Sequence, residues 1–252
     1  MFDLTPQILG LLAAAGAAAG FIDAIAGGGG LITVPVLMLA GMPPDQALAT
    51  NKVQGSFGAA TAAVSYARSG LVNLRRQWLG ALIAFVAGAA GAFLVGALPT
   101  QALRVILPVV LLGIAGFFAF RPGLDDVDRV QRLRPIVFSL TAIPLVAFYD
   151  GLIGPGAGAF YMLSFVMLAG YGILRATAHT KLLNFASNIG GLSAFALTGH
   201  PLWLVGLVMG VAQIAGAAVG SRLAMRVGAR IIKPLLVITS TALALRLLWQ
   251  MI

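Results

Sequence analysis

Two aspartates and two lysines stand inside stretches of sequence that are otherwise apolar: Asp23, Asp150, Lys52 and Lys181. An isolated charge in apolar surroundings is costly, so each of these side chains must be paired or must serve a function. In one interpretation the aspartates only neutralise the lysines. In the other, an aspartate takes up a proton, because burial favours the neutral carboxyl group and a nearby ammonium favours the carboxylate. The sequence leaves both interpretations open, and it makes Asp23 and Asp150 the candidate residues for coupling to protons.

The composition places these charges in a membrane. Of the 252 residues, 60% are hydrophobic and only 9% are charged, and the mean hydropathy is +1.00. These values are typical of an integral membrane protein. The chain has no Cys, no Glu and two His, which argues against disulfides, thiolate metal sites, a cofactor or an enzyme's acid–base set. The net charge of +9 lies mainly in short loops, so it indicates membrane orientation and not a nucleic-acid partner.

Glycines follow both aspartates at the ends of apolar segments. They are Gly27, Gly28, Gly29 and Gly30 in the first half, and Gly154, Gly156 and Gly158 in the second. A helix break in lipid is tolerated only where it is buried in protein or lines a water-filled cavity. The short helices that begin near Leu31 and Gly158 then turn their unsatisfied N–H groups and positive dipole ends toward the middle of the membrane. Two such ends facing each other predict an anion-binding site.

Polar residues downstream of each break complete the predicted substrate site: Asn51, Lys52, Gln54, Thr180, Lys181, Asn184 and Asn188. The amides can bind the oxygens of a ligand, and they serve equally well as hydrogen bonds between helices. For the lysines the alternative is that each side chain extends to the nearby membrane interface. Their recurrence after both breaks favours a function, and no metal site is predicted.

The chain divides into ten apolar segments, and the second and seventh are short. The segments are residues 6–26, 31–41, 47–68, 78–98, 103–120, 136–153, 158–170, 177–198, 202–220 and 231–251. A segment of eleven to thirteen residues rises less than about 20 Å as a helix, which is too short for a hydrocarbon core of about 30 Å. We therefore expect each short segment to form a broken-helix pair with the segment before it.

The two halves of the chain resemble each other. The segment FIDAIAGGGG matches FYDGLIGPGA, which begins at Phe148, and ATNKVQGSFGAA matches AHTKLLNFASNI, which begins at Ala178. Each half holds three full spans and one broken-helix pair, so the copies are expected to cross the membrane in opposite senses. The sequence thus predicts an all-α polytopic protein with a first repeat at 1–120, a cytoplasmic linker at 121–135 and a second, inverted repeat at 136–252. The linker aspartates Asp125, Asp126 and Asp128 are interpreted as solvated.

Basic residues predict the orientation. If the loops alternate sides and each short pair returns the chain to its starting side, twelve of the sixteen basic residues fall on one face. By the positive-inside rule that face is cytoplasmic, and both termini are periplasmic.

At the level of motifs, the chain resembles a known family. The pattern D-x-I-A-G-G-G-G-L-I-T-V-P with A-T-N-K downstream, echoed by Y-D-G-x-x-G-P-G-A-G and H-T-K-x-x-N-x-x-S-N, is similar to the TauE/SafE membrane anion transporters, in particular their YfcA-like branch. The resemblance implies transport of sulfite, organosulfonates or related organic anions across the bacterial inner membrane. It points to Gly27 to Gly30, Asn51, Lys52 and their second-half counterparts. The second copy departs from the family pattern, with G-P-G-A-G-A-F after the aspartate and His-Thr-Lys in place of Gly-Thr-Ser.

The predicted function is therefore secondary transport of a small anion by alternating access at a site in mid-membrane, with protons as the candidate coupling ion. An anion channel and a membrane assembly protein remain the alternatives. The partners expected from the sequence are the anion, the lipid bilayer and protons, and a homo-oligomer is compatible with it.

Overall fold

In the computed structural model, residues 5–73, 75–95, 112–113, 116–117, 119–120, 125–198 and 201–249 are described. Across these residues the chain forms nine helices. They are α1 (Pro6–Ala26), α2 (Gly29–Leu39), α3 (Pro44–Arg68), α4 (Trp78–Phe93), α5 (Pro135–Leu152), α6 (Ala157–Ser164), α7 (Ile173–Thr198), α8 (Trp203–Val227) and α9 (Ala229–Trp249). A π-helical turn, Phe165–Ala169, follows α6. Most of the predicted fifth segment, 103–120, lies outside the described residues.

Three of these helices, α1, α5 and α8, are long and apolar enough to cross a membrane. The helices α3 and α7 have 25 and 26 residues, about 37 Å or more at 1.5 Å per residue, so they are also long enough. Polar side chains lower their hydropathy. They begin three and four residues earlier than the predicted segments, at Pro44 and Ile173, because Pro44 fits the first turn of a helix and the loop before Ile173 is short.

Both short helices follow a break made by glycines. Helix α1 ends at Ala26, and Gly27 takes a left-handed φ of 77°. In the second half, Gly154 and Gly156 have φ values of 90° and 87°. Residues with a Cβ rarely adopt these angles, so glycine allows the chain to leave one helix and start the next within two to four residues.

The long helices pack closely in pairs. Helix α1 lies along α8, and α4 lies along α5, while α3 contacts both α7 and α8. Glycines allow these approaches. A Cβ added to Gly20 on α1 would lie 2.5 Å from the carbonyl oxygen of Gln213, and one on Gly88 of α4 would lie 2.6 Å from that of Ser187. Glycines at these contacts thus allow the long helices to pack closely.

The described residues combine an apolar core with an apolar exterior and a cluster of buried polar side chains. Large apolar side chains lie on the outside. Leu11, Leu140 and Val211, for example, are 70%, 62% and 64% exposed. The interior holds polar and charged side chains. The buried ones include Thr33, Asn51, Lys52, Gln54, Asp150, Lys181, Asn184, Ser187, Asn188 and Gln213. An apolar exterior of this kind suits a lipid environment.

The aspartates between the halves do more than contact solvent. The Asp126 carboxylate accepts the N–H groups of Leu174 and Ala229, both at 2.9 Å, and so caps the beginnings of α7 and α9. Asp128 accepts the Gly172 N–H at 2.8 Å and pairs with Arg175. Burial raises the pKa of Asp128, but these hydrogen bonds and the Arg175 charge outweigh it and hold the pKa below its usual value. Asp125, Asp126 and Asp128 are exposed, yet they tie the linker to the helix ends.

Replacing Gly20 with Ala should destabilise the protein, because the new methyl group meets the backbone of α8. Overpacking of this kind costs about 1–3 kcal/mol. The matched control is Gly10→Ala on the same helix, where a Cβ meets nothing within 4 Å and helix propensity improves. Thermal unfolding of the detergent-purified protein measures both. Equal unfolding midpoints for the two variants would contradict the close packing of α1 on α8.

Candidate functional site

The two glycine breaks predicted from the sequence meet in the structure. A Cβ added to Gly27 would lie 2.6 Å from the carbonyl carbon of Gly158, and one added to Gly158 would lie 2.5 Å from the Cα of Gly27. The backbones therefore touch, and only hydrogen fits at either position. The start of α2 and the start of α6 are brought together at this contact.

The buried charges form two ion pairs that cross between the halves of the chain. Lys52 Nζ lies 2.7 Å from Asp150 Oδ1, and Lys181 Nζ lies 3.1 Å from Asp23 Oδ2. Each ammonium also donates to the backbone carbonyl oxygen of the same aspartate. These carbonyls belong to the last turns of α5 and α1, where the helix dipole favours a positive charge.

Both lysines are buried, so neither extends to the membrane interface. Each is the ninth residue of its helix, α3 or α7, and its side chain is at most 1% exposed. The alternative interpretation of lysines at an interface therefore does not hold. Their charges are neutralised by the aspartates and do not stand free.

The two aspartates differ in their surroundings. Asp150 is 3% exposed in its side chain, and its second carboxylate oxygen accepts a hydrogen bond from Ser187. Asp23 is 15% exposed, and its other oxygen accepts the backbone N–H of Gly29 at 3.2 Å. Asp150 is thus enclosed by side chains of the long helices, whereas Asp23 depends on the first residue of α2.

A small cavity of about 30 Å³ lies between the breaks. Eleven of the predicted residues line it: Asp23, Gly27, Gly29, Gly30, Asn51, Asp150, Gly154, Gly156, Gly158, Asn184 and Asn188. Five predicted residues do not line it: Gly28, Lys52, Gln54, Thr180 and Lys181. The lysines and Gln54 instead bind residues that line the cavity, namely Asp150, Asp23 and Asn51.

The remaining two residues are placed elsewhere. A Cβ on Gly28 would lie 3.5 Å from Thr239 of α9, so this glycine faces a neighbouring helix. Thr180 donates to the carbonyl oxygen of Ala176 in its own helix at 2.8 Å. Neither residue contributes a group to the cavity, because in each case the backbone position turns it away from the breaks.

Side-chain amides supply hydrogen-bond donors to the cavity. Asn51 Oδ1 accepts from Thr33 Oγ1 and Gln54 Nε2, both at 2.7 Å, which leaves its NH₂ group without an acceptor among the described residues. Asn188 donates to the carbonyl oxygen and to Oδ1 of Asn184, at 2.8 and 3.2 Å. The NH₂ group of Asn184 is likewise left without an acceptor in the described part of the chain. Hydrogen bonding thus orients the side chains of Asn51 and Asn184 and leaves their NH₂ groups available to a ligand.

The backbone adds two more donors. Gly30 and Gly158 lie in the first turns of α2 and α6 and border the cavity. Within the residues that the structure describes, neither N–H group has a hydrogen-bond acceptor. Free N–H groups at the start of a helix bind anions. The cavity therefore offers four donors, two from each half, and no group of three or more metal-binding side chains occurs among the described residues.

Three residues of the site were missed from the sequence. Gln213 of α8 lines the cavity and donates to Gln54 Oε1. Thr33 orients Asn51, and Ser187 bonds to Asp150. Gln213 could have been found, because it is a lone amide in an apolar span. Thr33 and Ser187 carry no such signal, since both hydroxyls also bond to their own helices. Gly55 and Ala157 complete the lining.

Comparison with known proteins identifies the family of this chain. The family described as "Sulfite exporter TauE/SafE" matches residues 12–247. The chain belongs to the TauE/SafE family. It is 54% identical over 248 residues to "Probable membrane transporter protein ORF9" of Sinorhizobium sp, which covers 98% of this chain and 95% of that protein. It is 45% identical over 250 residues to "Probable membrane transporter protein YfcA" of Escherichia coli K12, covering 99% and 93%.

A further relative, "Probable membrane transporter protein" of Haemophilus influenzae, is 40% identical over 248 residues, covering 98% of this chain and 97% of that protein. No solved structure matches the chain significantly. The predicted family is confirmed, and the relatives together with the apolar helices place this TauE/SafE chain in a membrane.

Replacing Lys52 with Met should destabilise the protein by about 3–5 kcal/mol, because it leaves the buried Asp150 carboxylate without its countercharge. The double variant Lys52→Met/Asp150→Leu removes both charges and should recover most of the loss. Arg68→Met, an exposed change at the end of the same helix, is the control. Thermal unfolding in detergent compares the four proteins. A double variant less stable than the single one would contradict a paired, buried charge.

Proposed function

We propose that this protein is a secondary transporter of a small anion, such as sulfite, an organosulfonate or a related organic anion, that works by alternating access. The observation that carries the proposal is the cavity between the two breaks, with its four free donors. The family's description names a sulfite exporter, and the relatives are named as membrane transporters, which supports the same function.

The chemistry of the cavity suits an oxyanion. The NH₂ groups of Asn51 and Asn184 and the N–H groups of Gly30 and Gly158 can each bond to one oxygen, and helix ends favour negative charge. The carboxylates of Asp23 and Asp150 would repel an anion, but a lysine neutralises each. The lysines therefore serve the anion indirectly. Direct recognition comes from the amides and the backbone.

The size of the cavity supports an occluded state. A volume of about 30 Å³ holds roughly two water molecules. An anion with three oxygens needs more room, so the breaks must separate to admit it. Because Gly27 and Gly158 touch, moving one half against the other changes the volume of the site directly.

Inverted repeats supply that motion in our proposal. In support, α1 packs on α8, and α4 packs on α5. If α1 and α4 of the first repeat correspond to α5 and α8 of the second, both pairs join the same two elements of opposite repeats. The ion pairs have the same symmetry, because Lys181 of α7 binds Asp23 of α1 as Lys52 of α3 binds Asp150 of α5. We propose residues 1–120 and 136–252 as the two repeats, the linker at 121–135 on the cytoplasmic side of the bacterial inner membrane, and both termini in the periplasm. The distribution of basic residues supports this orientation.

Protons are the proposed coupling ion. Of the two candidate aspartates, Asp23 is the more accessible, lines the cavity and is held partly by the first residue of a short helix. Asp150 also lines the cavity but is enclosed. We therefore propose Asp23 as the residue that exchanges the proton, with Asp150 as its structural counterpart.

The alternative functions make different predictions. An anion channel would show ionic conductance in a planar bilayer without saturation at transporter-like rates. The small volume of the cavity, about 30 Å³, favours a transporter over it. A membrane assembly protein would keep its activity in the cell when the cavity donors are removed. Neither alternative accounts for free donors that face one another across the breaks.

Replacing Asn51 with Asp should abolish anion flux, because an isosteric acceptor then stands where a donor is required. The protein should still fold, since the change keeps the side-chain shape. Uptake of radiolabelled sulfite into proteoliposomes measures the flux. Gln7→Glu, which adds the same charge at an exposed position of α1, is the control. Wild-type flux in Asn51→Asp would remove the cavity from the mechanism.

An imposed pH gradient should change the wild-type flux, and the double variant Asp23→Asn/Lys181→Met should lose that dependence. The paired change avoids an uncompensated buried ammonium. The symmetric double variant Asp150→Asn/Lys52→Met should retain the dependence, because it leaves Asp23 in place. Flux measured in the same proteoliposomes with and without the gradient tests this. A wild-type flux that ignores the gradient would refute proton coupling.

A further inference from the structure

A second, much larger cavity lies on the side of the fold where α7 begins. Its volume is about 820 Å³, within the range of roughly 300–1,000 Å³ for small-molecule sites. Residues 70–73 and 76–77, the start of α5, the π-helical turn and the first turns of α7 contribute to its walls. We call it the vestibule. Its charged lining residues, among those that the structure describes, are Arg76 and Arg175, and no carboxylate lines it.

Arg76 is held at the rim by its loop. The Asn73 carbonyl oxygen accepts the N–H groups of Arg76 and Gln77 at 3.1 and 3.3 Å, and Asn73 Oδ1 lies 3.2 Å from the Arg76 nitrogen. Gln77 in turn bonds to His179 of α7, at 3.2 Å to its carbonyl oxygen and 3.0 Å to Nδ1. The loop is thus attached to α7. Arg76 itself forms no ion pair with a described residue.

Arg175 stands on a wall of aromatic rings. Its guanidinium lies 4.0 Å from the centre of the Tyr171 ring and pairs with Asp128. Tyr171 stacks on Phe165 at 5.5 Å with an angle of 11° between the rings, and Phe165 contacts Phe138 at 4.9 Å. The vestibule therefore combines the guanidinium of the exposed Arg76 with that of Arg175, which Tyr171 and Asp128 hold in place, beside an apolar wall.

The vestibule adjoins the central site through α7. His179 lines the vestibule and lies two residues before Lys181, about 3 Å along the helix axis. Lys181 pairs with Asp23, which lines the small cavity. A molecule that contacts His179 is therefore about half a helical turn, along the axis of α7, from the lysine that pairs with Asp23.

We propose that the vestibule is a binding site for an organic anion with an apolar body, which it holds next to the central site. The guanidinium of Arg76, which has no countercharge among the described residues, bonds to the sulfonate or carboxylate head, and Arg175 supports it. The body packs on Phe138, Ile143 and Phe165. A bare inorganic oxyanion cannot fill this volume or use this wall. The inference rests on the proposed function in taking the bound anion as cargo, whereas binding itself does not depend on transport.

Binding of benzenesulfonate to the full-length protein in detergent, measured by isothermal titration calorimetry, tests the proposal. The Arg76→Gln variant should bind at least about tenfold more weakly, because it loses a hydrogen bond between charged groups. Arg75→Gln, which changes the neighbouring exposed arginine outside the vestibule lining, should bind like the wild type. Equal affinities in Arg76→Gln and Arg75→Gln would overturn the proposal.

A second comparison tests the apolar wall. Methanesulfonate carries the same head group as benzenesulfonate but buries far less apolar surface, so it should bind about tenfold more weakly or worse. Equal affinities of the two sulfonates would overturn the role of the wall. The Asn51→Asp variant should still bind benzenesulfonate while it transports no anion. If it instead transports normally and Arg76→Gln still loses binding, the vestibule stands and the proposed central site fails.

Discussion

A charge buried among apolar helices must be paired, and the architecture of the central site follows from that requirement. Lys52 and Lys181 each need a carboxylate and further acceptors, and each finds both at the end of a helix from the other half. The extra acceptor is a backbone carbonyl in the last turn of α5 or α1. In α1 the Asp23 carbonyl oxygen also accepts the Gly27 N–H at 2.9 Å, so the ammonium adds a second hydrogen bond there. Each lysine thus binds the helix end at which a break begins, and the ion pairs hold the two breaks in place.

The breaks in turn create the cavity. Two helices that stop in the interior leave two others that start there, and their first N–H groups have no partners within their own helices. Glycine allows the two starts to touch, as Gly27 and Gly158 do, and leaves room for Asn51 and Asn184 beside them. The lysines pair with the aspartates and do not line the cavity, so in the proposed function an anion meets neutralised carboxylates and hydrogen-bond donors. The sequence instead places Lys52 and Lys181 among the residues that bind the substrate.

The sequence revealed the residues of the site better than it revealed their arrangement. A carboxylate, an ammonium or a run of glycines in an apolar chain has few physical solutions, so Asp23, Lys52 and the breaks could be recognised, as could the helical fold and the family. Which aspartate pairs with which lysine could not, because the partners lie 98 and 158 residues apart and meet only through tertiary packing. Ser187 and Thr33 were missed because a hydroxyl in a helix usually bonds to its own backbone.

The difference between the two aspartates bears on how such a site could couple two ions. Asp150 is bound by Lys52 of α3 and Ser187 of α7, two long helices that pack against each other, so its partners stay in place when a short helix shifts. Asp23 is bound by Lys181 and by the N–H of Gly29, the first residue of α2. In the proposed mechanism, separating the breaks to admit an anion at Gly30 also moves the neighbouring Gly29 and removes its hydrogen bond to Asp23. The proposal thereby links anion entry to Asp23 through one residue step of α2, without any contact between the anion and Asp23.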